Sequence, residues 1–93
     1  MRILITNDDG IEAVGIRSLA DVLGEDHEVY VIAPKTQKSA AGHGISVHTP
    51  ITYTRLPAGN CKLRIAADGT PADCVKLAVL YFMKDRLPDL VIS

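Results

Sequence analysis

Two short apolar runs, Ile3–Ile5 and Glu28–Ala33, stand on either side of a stretch with helical spacing, and that order constrains the fold more than anything else in the chain. Both runs are rich in β-branched residues and nearly continuous in apolar character, the pattern of a strand buried on both faces. Between them, Ile16, Leu19, Ala20 and Leu23 fall at i, i+3, i+4 and i+7, one face of a helix. Gly24 is expected to stop that helix, Glu25-Asp26-His27 to connect it onward, and Pro34 to end the second strand. Strand, helix, strand is a βαβ unit, which implies a parallel pair joined by a right-handed crossover. Parallel strands open their carboxyl ends on one edge of the sheet. The segment after Pro34 should therefore face the segment after Ile5.

Beyond Ile5 the chain reads T-N-D-D-G. On a continuing strand, Asp8 and Asp9 would point to opposite faces. In a turn, with Gly10 free to take a positive φ, both carboxylates can lean into one pocket. Two hard anionic oxygen ligands at the end of a buried strand suit Mg²⁺ or Mn²⁺. The structural alternative is that N-D-D-G is ordinary turn chemistry, with Asp8 or Asp9 capping the next helix. Beyond Pro34 the chain reads K-T-Q-K-S-A-A-G-H-G, Lys35–Gly44. A glycine-containing polar loop beside a metal can offer backbone N–H groups to a phosphate. It can equally be a plain solvent loop. His43 and His48 could transfer a proton or merely line it.

Farther on, Ile45–Leu56 alternates loosely with a break at Pro50, Pro57-Ala58-Gly59-Asn60 turns, and Cys61–Ala67 alternates again. This reads as an antiparallel hairpin added to the sheet, with Lys62 and Arg64 on its solvated face. In D-G-T-P-A-D, Thr70 suits an N-cap, Pro71 the first helical position and Asp73 the third. Val75, Ala78, Val79 and Phe82 form one apolar face of the next helix, with Leu77, Leu80 and Tyr81 adding others, so this helix is expected to be mostly buried. Its N-terminus could attract an anion, but Asp68 and Asp73 occupy that neighbourhood, which favours a structural role. After Pro88-Asp89, Leu90–Ser93 reads as a further buried strand, expected beside Ile3–Ile5 because the helix from Pro71 supplies the crossover.

Ninety-three residues, 47% of them hydrophobic, allow one small domain. A net charge of −1, from 10 basic and 11 acidic residues, argues against broad electrostatic binding to nucleic acid or a membrane surface. Phe82 and three tyrosines are too few aromatics for a base-stacking platform. Cys61 and Cys74 form no C-x-x-C pair, and Cys74 sits in an apolar helix, so reduced thiols are expected. No run reads as a signal peptide or membrane span, and a cytoplasmic protein is expected.

Four stretches together resemble the SurE survival-protein family of metal-dependent nucleotidases: I-L-I-T-N-D-D-G, A-P-K-T-Q-K-S-A-A-G-H-G-I-S, D-G-T-P-A-D-C-V and P-D-L-V-I-S. They follow the family's order and spacing across nearly the whole chain. The resemblance implies a Rossmann-like α/β fold, a parallel sheet with an inserted antiparallel hairpin in a three-layer α/β/α arrangement. It implies that residues 1–93 are the amino-terminal portion of a longer nucleotidase domain, truncated at the C-terminus. It implies one divalent cation, Mg²⁺ or Mn²⁺, and hydrolysis of nucleoside 5′- and 3′-monophosphates, with polyphosphate a substrate of some members. It makes Asp8, Asp9 and Ser39 metal ligands. The chemistry of metal-assisted phosphate-ester hydrolysis would then make Asp8 and Asp9 catalytic, one of them orienting the nucleophile, and let Ser39 with N–H groups near Gly42 seat the phosphate. A fourth ligand, an Asn, would lie beyond Ser93. The complete protein is expected to be a dimer or tetramer, with neither nucleic acid nor membrane as partner.

The rival class is a receiver-like or non-catalytic nucleotide- or phosphate-binding module. Receiver domains also carry an acidic pair after the first strand, but they need a phosphorylatable Asp ending a middle strand, and the second strand here ends at Ala33-Pro34. A haloacid-dehalogenase-type phosphatase would need D-x-D, whereas Asp8 and Asp9 are adjacent.

Overall fold

Strand β1 (Arg2–Ile5) is buried along its whole length. It is flanked on both sides by parallel neighbours: β2 (Glu28–Pro34) in the register Ile3↔Val29, and β5 (Leu90–Ile92) in the register Ile3↔Leu90. The computed structural model describes residues 1–36 and 51–93. Among these, five strands form one sheet in the order β3-β4-β2-β1-β5. β4 (Leu63–Ala67) runs parallel to β2, and β3 (Tyr53–Arg55) runs antiparallel to β4, so the expected hairpin is present at the outer edge.

The pleat sorts the strands' side chains into two cores. Ile3, Ile5, Val29, Val31, Ala33 and Ala66 meet Ile16 and Ala20 of helix α1 (Val14–Leu23) on one face. Leu4, Ile32, Leu63, Ile65 and Ala67 meet Cys74, Ala78 and Met83 on the other. The second face is covered by α2 (Pro71–Leu77) and the π-helical turn Ala78–Phe82 that continues it. The result is three layers, α/β/α. Leu4 and Ile32 are fully buried at the centre, where truncation to Ala costs about 2–5 kcal/mol.

The α2 N-terminus follows its sequence signals closely. Thr70 is the N-cap, its hydroxyl accepting from the Asp73 N–H at 3.1 Å, while the Asp73 carboxylate accepts from the Thr70 N–H at 2.9 Å. Other expectations need correction. A single 3.6-residue period over Val75–Phe82 does not hold, because the Met83 N–H donates to the Ala78 carbonyl at 2.7 Å, five residues back. That wider turn shifts the phase by about one residue. Cys74, Ala78 and Met83 are therefore the buried set, and Leu80 and Tyr81 are 63% and 54% exposed. The apolar run Leu90–Ser93 predicts a buried strand, yet Leu90 and Val91 are exposed, because β5 is the edge of the sheet among the described residues.

Gly24 ends α1, but not by a left-handed turn: its φ is −66°, helical and open to any residue. What requires glycine is space. A Cβ there would stand 2.8 Å from the Asn60 Cβ and 2.9 Å from the Asn60 carbonyl oxygen. The 57–60 turn packs on the helix end, with the Asn60 amide donating to the Asp21 carbonyl at 3.2 Å. Helix propensity alone would favour Gly24→Ala by up to about 1 kcal/mol. The contact with backbone reverses the sign, and Gly24→Ala is expected to lower stability by about 1–3 kcal/mol in urea denaturation.

Candidate functional site

The chain leaves β1 at Thr6, whose N–H continues the ladder to the Ile92 carbonyl at 3.0 Å. It rejoins the sheet at Ile11, whose N–H donates to the Pro34 carbonyl at 2.8 Å. The residues between are Asn7, Asp8, Asp9 and Gly10. Gly10 has a φ of 108°, which L side chains rarely adopt. The expected turn is therefore formed, and it lies against the end of β2 as topology required.

Both carboxylates are exposed and line a cleft of about 650 Å³. The cleft lies at the carboxyl ends of β1 and β5, between the start of α1 (Ala13, Ile16) on one face and that of α2 (Pro71, Ala72) on the other. From β1 the chain passes to β2 on one side, and α2 later carries it across to β5 on the other. The cleft is thus at a topological switch point, where open α/β sheets bind ligands.

The structural alternative for the acidic pair fails on α1. That helix begins at Val14 with Ala13 as its N-cap and no side-chain cap, so neither Asp8 nor Asp9 serves it. No described residue hydrogen-bonds or ion-pairs with either carboxylate. This donor set fits a hard divalent cation. Mg²⁺ is held by one or two carboxylates, completing its shell with waters and substrate phosphate. Among the described residues there is no group of three or more His, Cys, Asp or Glu that could hold a metal, so soft or all-protein coordination has no candidate there. Ser39, Gly42, His43 and His48 lie outside the described residues. Lys35, at the start of their segment, is anchored at this sheet edge by its N–H, which donates to the Ala67 carbonyl at 2.7 Å.

Two residues near the site were given no role in it by the sequence. Asn7 brackets the turn through its side-chain amide, a role its position three residues before Gly10 could have signalled. Arg64, expected on a solvated face, reaches over β2 instead. Its guanidinium donates to the Ile11 carbonyl at 3.4 Å and pairs with Glu12. No local pattern predicts a contact across 52 or more residues of chain.

The family described as survival protein SurE matches residues 3–93. The chain belongs to the SurE family. A 5′-nucleotidase SurE from Carboxydothermus hydrogenoformans is 53% identical across the whole of this chain, and one from Kosmotoga olearia is 50% identical. The chain spans 36% of the length of each of these curated relatives. The crystal structure of the SurE protein from Aquifex aeolicus superposes with a TM-score of 0.87 at 33% identity, over 98% of this chain and 36% of that one. SurE membership and the shared architecture agree with the four stretches read from sequence. No described helix is long and apolar enough to cross a membrane.

Below the cleft, Cys74 is fully buried. Burial pushes its thiol up to about 12, the Thr6 hydroxyl beside it acts in the opposite direction, and Asp73 adds to the rise. Cys61, half-buried, is also raised, first by burial and then by Asp21. Near pH 8 both thiols stay protonated. A rise from 9.0 to about 12 cuts the thiolate fraction roughly a thousandfold. In a native-state alkylation time course at pH 8, Cys61 should react first, and Cys74 only once the protein is unfolded in urea.

Proposed function

We propose that this chain is the amino-terminal portion of a metal-dependent phosphomonoesterase, a nucleotidase that hydrolyses nucleoside 5′- and 3′-monophosphates to nucleoside and phosphate, with polyphosphate a further substrate. One observation carries the reading. Asp8 and Asp9 line a switch-point cleft while doing no capping or ion-pairing work among the described residues. The names of the curated relatives support the substrate class.

In this reading Asp8 and Asp9 hold one Mg²⁺ or Mn²⁺ by their carboxylate oxygens, and Ser39 contributes its hydroxyl. When bound, the cation neutralises phosphoryl oxygens and lowers the pKa of a water. Asp8 or Asp9 also orients the attacking water. Ser39 and the backbone N–H groups near Gly42 seat the phosphate. Water oxygen bonds to phosphorus as the ester P–O bond breaks, and the departing nucleoside oxygen takes a proton. A covalent aspartyl phosphate is disfavoured, since a carboxylate engaged by metal is a weak nucleophile. The complete protein is a cytoplasmic homo-oligomer in this proposal.

Asp→Asn keeps shape and removes charge. In the full-length protein carrying this segment, Asp8→Asn and Asp9→Asn should each lower turnover of a nucleoside monophosphate at least about a hundredfold, ~2.7 kcal/mol. A chelator should abolish it. Undiminished turnover by the double variant in chelator overturns the assignment. Base selectivity should also be broad, because the described cleft carries no aromatic clamp. Turnover of adenosine, guanosine, cytidine and uridine 5′-monophosphates should differ by less than roughly a hundredfold.

A further inference from the structure

The directions of two metal-binding side chains must be set by something. In this cleft no described residue holds either carboxylate, so their aim is left to the backbone of the turn that carries them. We propose that Asn7 is a positioning residue for this pair: its side-chain amide closes the turn that presents Asp8 and Asp9 to the cleft. The inference rests on the metal-dependent reading of the site.

Asn7 is half-buried. Its Nδ2 donates to the Gly10 carbonyl at 2.8 Å, and the Gly10 N–H donates to its Oδ1 at 3.2 Å. One planar amide thus engages both backbone groups of Gly10. Asp8 and Asp9 are the two residues enclosed by that ring. The Gly10 carbonyl also accepts from the Ala13 N–H at 3.1 Å, while the remaining attachments work from outside the ring. Thr6 is tied to Ile92, Ile11 to Pro34, and Arg64 to Ile11 and Glu12. These pin the ends of the excursion without bracketing Asp8 and Asp9. The amide, with Gly10 at positive φ, ties together the two ends of the segment that carries them.

The chemistry explains why the residue is Asn. The bracket needs a donor and an acceptor on one short rigid group. An Asp at this position would accept from the Gly10 N–H but could not donate to its carbonyl, and it would add a third negative charge beside two others. A Ser carries donor and acceptor on a single oxygen, one bond closer to the backbone, and so lacks the two separate atoms that reach the Gly10 N–H and carbonyl together. Groups that orient metal ligands, without touching the metal, typically govern its affinity by 10- to 100-fold.

The test is calorimetric titration of Mn²⁺, without substrate, into the metal-free full-length protein and three variants: Asn7→Ala, Asn7→Ser and Arg64→Met. Each metal-free form is also melted. Asn7→Ala should weaken Mn²⁺ binding about tenfold or more. Asn7→Ser, whose hydroxyl can satisfy one of the two Gly10 groups at a time, should fall between Asn7→Ala and wild type. Arg64→Met loosens the same segment from outside, so it should lower the melting temperature while leaving Mn²⁺ affinity unchanged within error. If Asn7→Ala does not fold, the Ser variant decides, and wild-type affinity there overturns the proposal. Equal weakening by Arg64→Met and Asn7→Ala at equal loss of melting temperature also overturns it, since general loosening would then suffice. Wild-type protein that binds no Mn²⁺ overturns the metal reading and this inference together. Wild-type binding that survives Asn7→Ala overturns this inference alone.

Discussion

The structure depends on β1 having neighbours on both sides and helices on both faces. A strand so enclosed has all its backbone groups paired and all its side chains buried, so its residues are left little freedom beyond being apolar. It also has only one way out at its carboxyl end. The next residues must climb over the sheet edge between β5, which takes the Thr6 N–H, and β2, which takes the Ile11 N–H. The acidic turn is therefore strung between two fixed points on neighbouring strands. Its location at the switch point follows from the order in which the chain lays its strands around β1.

That location resolves an electrostatic difficulty. Adjacent carboxylates buried in the core would each need a partner, at a desolvation cost of several kcal/mol. At an exposed edge, water and salt screen their mutual repulsion and no burial cost is incurred. Asp73 shows the opposite arrangement. That carboxylate is fully buried, and its charge is committed to the Thr70 N–H in a capping box. Of Asp8, Asp9 and Asp73, the one inside the fold has a structural task, and the two at the surface have none that the described residues supply.

Most of the architecture was legible because its determinants are local. The spacing of Ile16, Leu19, Ala20 and Leu23, the Thr70-Pro71-Asp73 start and the hairpin alternation are each set within about ten residues. The placement of β5 beside β1 followed from crossover geometry, and its register is as regular as a parallel neighbour requires. The illegible parts depend on distant contacts. In sequence Gly24 reads as a conformational stop, whereas it is glycine because Asn60 comes within 2.8 Å of where a Cβ would be. Arg64 reads as solvated, whereas it spans the sheet to Glu12. The face of the helix beyond Ala78 is misphased by one wide turn, which a 3.6-residue template does not contain. The acidic pair was legible as a candidate, but its freedom from capping duty was not, since that required knowing where α1 begins.

The same local accounting bears on where a phosphate could be bound. The α2 N-terminus borders the cleft and would ordinarily be an anion seat. Here its donors are largely spent. Pro71 has no N–H, the Asp73 N–H goes to the Thr70 hydroxyl, and the Cys74 N–H goes to the Thr70 carbonyl. The buried Asp73 carboxylate also opposes a second anion beside it. On the other wall, α1 begins at Val14 with no side-chain cap at Ala13, so its first backbone N–H groups have no capping side chain, and Gly15 and Ile16 line the cleft. Of the two helix starts, that of α1 is therefore the one with backbone donors left open beside the cleft among the described residues. The polar stretch 35–44 enters this edge through Lys35, whose N–H is bound by the end of β4. It has the composition to add further donors, and in the proposed function Ser39 and the backbone near Gly42 supply them, facing the same edge as the α1 start.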